Sequence, residues 1–220
     1  MKLTKKTVFL SIIFMIPVFL VFIFGVLGKS RHHLPVYFAT DSVETNAGYE
    51  ITEALTIPEF SFTDQDSTTF LSSKVADKIK VYDFVFTRCG GICPQMTSNL
   101  TRVQEYFKDD SAIVLISLTV DPGYDNASVL RAYANKYNAV PGKWYFLTGS
   151  KDSIYSLGQN HFYLTAKQNE VDPTDFLHSE KVVLVDEKGW IRGYYNGTKE
   201  EEIDRLITEI KVLQKINTQK

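Results

Sequence analysis

The sequence predicts an α/β domain, a central mixed sheet flanked by helices, with one N-terminal transmembrane helix ahead of it. Three observations carry this expectation. Lys80–Thr87 (KVYDFVFT) and Ala112–Val120 (AIVLISLTV) have the β-branched and aromatic composition of strands buried on both faces. Each is followed by a segment with helical spacing, so the chain must return by right-handed βαβ crossovers. Finally, Thr7–Leu27 is 21 residues without a charge. A helix needs ~20 apolar residues to cross a hydrocarbon core of ~30 Å.

Taken in order, residues 1–6 are a short N-terminus and residues 7–28 the anchor, its Pro17 tolerable in a spanning helix. The run is longer than a signal-peptide core and lacks an Ala-x-Ala exit, which argues for an uncleaved anchor. Lys2, Lys5 and Lys6 precede it, while Lys29 and Arg31 follow. That balance leans towards a cytoplasmic N-terminus and a domain outside the cytoplasm. With no Arg-rich presequence, a bacterial inner membrane and a periplasmic domain are expected.

Residues 29–57 read as a polar tether, because no apolar period is sustained. The domain is expected over 58–220. Phe60 and Phe62 alternate with polar residues ahead of Asp64–Ser67, which suggests a short hairpin closing on Phe70 and Leu71. After the first buried strand, Met96, Leu100, Val103 and Phe107 mark one helix face. Pro94 suits that helix's first turn, where its missing N–H costs nothing. A loop at 121–125 leads to a helix over 126–137, and Trp144–Leu147 is a third strand. A short helix is expected over 151–160. Lys181–Val185 and Ile191–Tyr195 form a hairpin, and Ile203, Leu206, Ile207, Ile210 and Leu213 line the last helix. Alternating strands and helices closed by a hairpin and a helix describe a thioredoxin-like sandwich.

A formal net charge of −2 and the absence of a long basic stripe exclude nucleic acid as a partner. The chain has two cysteines, Cys89 and Cys93, too few for a disulfide scaffold. They sit where a buried strand ends and a helix begins, four residues apart, so both thiols share one helical face. The helix N-terminus and the neighbouring Arg88 are expected to lower both thiol pKa values. Soft thiolates select Cu(I), zinc or iron–sulfur clusters. A disulfide between the pair would close a very small loop and constrain the unfolded chain little.

Five stretches resemble the Sco/SenC family of copper chaperones for cytochrome c oxidase. They are Phe62-Thr-Asp-Gln-Asp66, Phe84-Val-Phe-Thr-Arg-Cys-Gly-Gly-Ile-Cys-Pro94, Thr119-Val-Asp-Pro122 with Asp125, Trp144-Tyr-Phe-Leu-Thr-Gly149, and Asp175-Phe-Leu-His-Ser179 running into Lys181–Asp186. The resemblance covers residues 58–197. It implies a copper site of Cys89, Cys93 and His178, suited to Cu(I) and able to accommodate Cu(II). It also implies delivery to the CuA centre of an oxidase subunit, and a thiol reductant that keeps the pair reduced. The chain departs from the family pattern at Gly90 and Gly91, where a proline and a polar residue are common. It departs again at Asp125-Asn-Ala127, where the family often reads Asp-Thr-Pro.

An enzyme remains the alternative, with Cys89 and Cys93 as redox-active thiols of a thiol–disulfide oxidoreductase reducing the same subunit. A redox or copper sensor is a third possibility. The CxxxC spacing and the histidine favour metal binding over simple exchange. His161 follows a short helix without a motif and is expected to be solvated or capping. His32 and His33, just past the span, are expected to be a solvated juxtamembrane pair rather than a contact for copper in transit. Asp83 interrupts an apolar strand and should be a buried, hydrogen-bonded carboxyl with a raised pKa. Asp121 and Asp125 are expected to form a loop turn. Asn99, Asn126 and Asn196 head glycosylation-type triplets.

Overall fold

The computed structural model describes residues 15–17, 19, 22, 34–45, 48–164 and 180–217. The chain divides into Met1–His33 and Leu34–Lys220. In the first unit the described residues are helical and exposed. Among the described residues no helix is long and apolar enough to cross a membrane. Most of the expected span over 7–28, like His32 and His33, lies outside them.

The second unit holds nine strands and four α-helices among the described residues. The strands are β1 (Ala39–Thr45), β2 (Gly48–Ala54), β3 (Ser61–Asp64), β4 (Thr69–Leu71), β5 (Ile79–Val85), β6 (Ile113–Thr119), β7 (Trp144–Thr148), β8 (Lys181–Val185) and β9 (Ile191–Asn196). The helices are α1 (Ile92–Tyr106), α2 (Ala127–Lys136), α3 (Lys151–Ser156) and α4 (Glu200–Asn217), with a π-helical turn, Leu157–His161, after α3.

Seven strands form one sheet in the order β4-β3-β7-β6-β5-β8-β9. Only its centre is parallel, β5 against β6 and β6 against β7; the flanking pairs run antiparallel. This centre follows from the two fully buried strands, β5 and β6, whose apolar runs need cover on both faces. On one face Val81, Leu115, Phe146 and Leu184 pack under α1, α2 and α4 through Met96, Leu100, Leu130, Ile203 and Leu206. On the other, Tyr82, Phe84, Ile116 and Val183 pack with Ile154 and Phe162. The core therefore has two layers, and the strand ends between them carry the site.

Local chemistry fixes the ends of the helices. Asn126 accepts from the N–H groups of Ser128 and Val129 at 3.0 and 3.1 Å, capping α2. Asn138, at φ 53°, ends the same helix in the left-handed conformation that asparagine tolerates. The hairpin expected at 60–71 is β3–β4, turned by Asp64, whose carboxylate accepts from Asp66 and Thr68.

Within the expected tether at 29–57, the described residues 34–45 and 48–57 include two strands. β1 and β2 form a separate two-stranded hairpin. The segments on either side of it bond to the turn before β9 and to its start: Tyr37 N–H donates to Ile191, Ile57 N–H to Gly189, and Arg192 holds the carbonyls of Leu34 and Pro35 at 2.9 Å. Phe38 stacks on Tyr163 with ring centroids 3.9 Å apart. All seven residues of β1 are exposed, so that strand leaves no alternating pattern to read.

Candidate functional site

The site lies at the C-terminal ends of β5 and β6, where ligands of open α/β sheets collect. From β5 the chain enters a turn, Phe86–Cys89, closed by Cys89 N–H donating to the Phe86 carbonyl at 3.2 Å. α1 begins three residues after Cys89, so its first backbone N–H groups have no helical partner. They turn to the sulfur of Cys89 instead. Both thiols are free; Cys89 is half-buried and Cys93 is 3% exposed.

Partial burial opposes ionisation of Cys89, but hydrogen bonds from the N–H groups of Cys93, Gly91 and Ile92, and from the Cys93 thiol, outweigh it and lower its pKa. Cys93 goes the other way. Burial pushes its thiol up to about 12, with the sulfur of Cys89 and the charge of Asp83 raising it further. The expectation that both thiols are acidified holds for Cys89 alone, because Cys93 is buried in the first turn of α1. Arg88 is not the acidifying charge either: its guanidinium is spent on Asp121 and lies over the Tyr124 ring at 4.4 Å. A Cβ at Gly90 or Gly91 would meet no atom within 4 Å. There is thus room for a Cβ at both positions.

Below the thiols, Asp83 is fully buried on β5, as expected. Its Oδ1 accepts from Ser117 at 2.5 Å, Ser117 in turn accepts from Trp144 Nε1 at 2.9 Å, and its Oδ2 has no partner. Burial raises this carboxyl to about 7 against the opposing hydrogen bond from Ser117.

Asp121 and Asp125 do more than turn a loop. Asp125 is 0% exposed and accepts from the N–H and hydroxyl of Thr87 and from the hydroxyl of Thr119. No local sequence signal points to this, since Thr87 and Asp125 are 38 positions apart. His161 ends the π-helical turn, half-buried and outside this cluster. Asn99 is buried and donates to the Gly197 carbonyl at 2.9 Å, so it is not an accessible glycosylation acceptor. His178 lies outside the described residues, and among those described no three His, Cys, Asp or Glu side chains form a metal-holding group. The structure thus brings together two of the three expected ligands and is silent on the third.

Two free thiols of opposite acidity at a helix N-terminus, on a thioredoxin-like scaffold, define a protein of thiol redox or soft-metal chemistry. The chain belongs to the SCO1/SenC family, whose model matches residues 49–214. It is similar to a SCO1 protein homolog of Bacillus subtilis, 30% identical over 157 residues, covering 70% of this chain and 81% of the relative. A protein of Stutzerimonas stutzeri named for copper binding is 26% identical over 159 residues, 70% of this chain and 76% of that one. Among solved structures, BsSco, described as a member of the Sco family of cytochrome c oxidase assembly proteins with a disulfide switch, is 30% identical at a TM-score of 0.62. That match covers 71% of this chain and 92% of BsSco.

Proposed function

We propose that this protein is a membrane-anchored copper metallochaperone that delivers copper to the CuA centre of a cytochrome c oxidase. Cys89, Cys93 and His178 are its ligands. The observation that carries the proposal is the Cys89–Cys93 pair, two free thiols in hydrogen-bond contact at the mouth of α1. Such a donor set fits a soft monovalent ion, and one imidazole completes a low-coordinate site from which the metal can leave by ligand exchange. Family membership and the copper-binding relative support the cargo. Residues 7–28 hold the domain at a bacterial inner membrane, on the periplasmic side, where a thiol reductant must keep the pair reduced.

The test is metal transfer. The reduced full-length chain should bind one Cu(I) and pass it to the apo copper subunit of the oxidase. Cys89→Ala, Cys93→Ala and His178→Ala should each weaken Cu(I) binding greatly in competition with a chelator. An unchanged affinity in His178→Ala would remove the imidazole from the site.

One observation favours the alternative, thiol–disulfide exchange. The accessible thiol is the acidified one and the buried thiol keeps its proton, as an attacking and a resolving cysteine would. Cys89 thiolate would attack a subunit disulfide and form a mixed disulfide. Cys93, losing its proton, would then attack the Cys89 sulfur and release the subunit dithiol. Reduction of the subunit without any metal transfer would select this reading.

A further inference from the structure

The two central residues of the turn that presents Cys89 are both held by the loop after β6. Thr87 gives Asp125 its N–H, 3.1 Å to Oδ2, and its hydroxyl to Oδ1. Arg88 gives its Nε, at 3.1 Å, and its Nη2 to Asp121 Oδ2. The two grips differ in kind. Arg88 and Asp121 are 57% and 29% exposed, so their pairing is screened and readily exchanged with water. Asp125 is fully buried; its bond from Thr119 is buried too, and its two bonds from Thr87 are partly so.

Asp125 also ties two strands at their ends. Val85 and Thr119 are partners across the parallel β5–β6 pair. The Thr119 hydroxyl donates to Asp125 Oδ2 at 2.5 Å and itself accepts the Asp121 N–H at 3.0 Å. The loop is closed on itself by Asp125 N–H donating to the Asp121 carbonyl at 2.9 Å. One buried carboxylate therefore locks the end of β6 to the residue two places before Cys89. A loop that merely reversed direction would need none of the bonds to Thr87.

We infer that Asp125 is a positioning residue for Cys89: it fixes the Phe86–Cys89 turn so that the Cys89 sulfur stands over the first N–H groups of α1. Without it the turn can swing, the sulfur leaves those N–H groups, and its distance to Cys93 is no longer set. The inference deepens the proposed function and rests on it only for the identity of the cargo.

The test uses the full-length chain with Asp125→Ala, Asp125→Asn and Thr87→Val, compared with the unaltered protein. Three quantities are read without metal: the thermal midpoint, the equilibrium of the Cys89–Cys93 disulfide against glutathione, and the alkylation rate of Cys89 by iodoacetamide at pH 7.5. A fourth is Cu(I) competition. Asp125→Ala should change the disulfide equilibrium and the alkylation rate at least tenfold at a temperature where the chain is folded. Asp125→Asn keeps an acceptor for one hydroxyl but cannot accept every bond, so it should fall between. If Asp125→Ala does not fold, Thr87→Val, which deletes a single hydroxyl, decides with a several-fold change in the same two thiol readouts. A lowered thermal midpoint with both thiol readouts unchanged would overturn the inference and leave Asp125 a structural residue. Shifted thiol readouts in a protein that binds no Cu(I) would uphold it while the copper reading fails.

Discussion

The negative charge of Asp83 raises the proton affinity of Cys93, and both residues are buried on the α1 side of the central sheet. One thiol of the pair thus answers to solvent and the helix N-terminus. The other answers first to its burial and then to a carboxyl beneath it that itself titrates close to neutrality.

This arrangement predicts how copper affinity depends on pH. Cys93 holds its proton below about 12, and a metal-bound cysteine must lose it, so at least one proton leaves on binding. The apparent Cu(I) affinity should rise about tenfold per pH unit between pH 6 and 8, since each bound ion displaces that proton. Chelator competition at three pH values measures it. A flat profile would mean that Cys93 is not a ligand.

Asp83 should leave its mark on stability. Its carboxyl titrates at 3.8 ordinarily and at about 7 in the folded chain, because burial disfavours the charge. An acid that binds its proton more tightly when folded contributes stability in full below the unfolded value and loses it as pH rises through about 7. The difference corresponds to at most about 4 kcal/mol. Asp83→Asn, which cannot ionise, should show a denaturation midpoint far less sensitive to pH between 4 and 8 than the unaltered protein.

Lys80 works in the opposite sense. Burial lowers its amine from 10.5 to about 8, with Asp186, Glu187 and Asp77 pulling it back up. A base depressed in this way has its stability in full above 10.5 and loses it as pH falls through about 8. Its amine makes one hydrogen bond, to the Ala76 carbonyl at 2.9 Å. Lys80→Met should therefore stabilise the protein at pH 7 by about 2 kcal/mol, the relieved desolvation less one hydrogen bond. The gain should vanish by pH 10, as urea denaturation at the two pH values would reveal.

Gly197 is filled in by its neighbours. A Cβ there would lie 2.9 Å from Val182 Cγ2 and 3.0 Å from Met96 Cγ, and Met96 belongs to the helix that carries Cys93. Gly197→Ala should cost about 1–3 kcal/mol through overpacking. It should also push on α1, so slower Cys89 alkylation accompanying the lower midpoint is the expected pair of results.

The centre of the fold was legible because β5 and β6 are continuous apolar runs and α1 and α4 repeat apolar residues at helical spacing. Spacing also found the thiol pair, but it carries no information about depth, so the split between Cys89 and Cys93 was invisible. Lys80 was hidden in the same way, a charged residue inside a buried strand whose long stem reaches back to a backbone carbonyl. The β1–β2 hairpin escaped because β1, exposed along its whole length, has no reason to alternate. Asp125 looked like turn chemistry because its partners, Thr87 and Thr119, become neighbours only when β5 and β6 pair in register.

The strip formed by Leu34–Phe38 has one more consequence. β9 closes the sheet on one side, and Tyr37 and the carbonyls of Leu34 and Pro35 engage it at Ile191 and Arg192. A bare edge strand is a template for pairing with another chain. A soluble form cut at Pro58, where the apolar pattern starts, would uncover that template and self-associate. One begun at Leu34 would stay monomeric by light scattering. On this prediction Leu34–Phe38 shields the start of β9 from neighbouring copies.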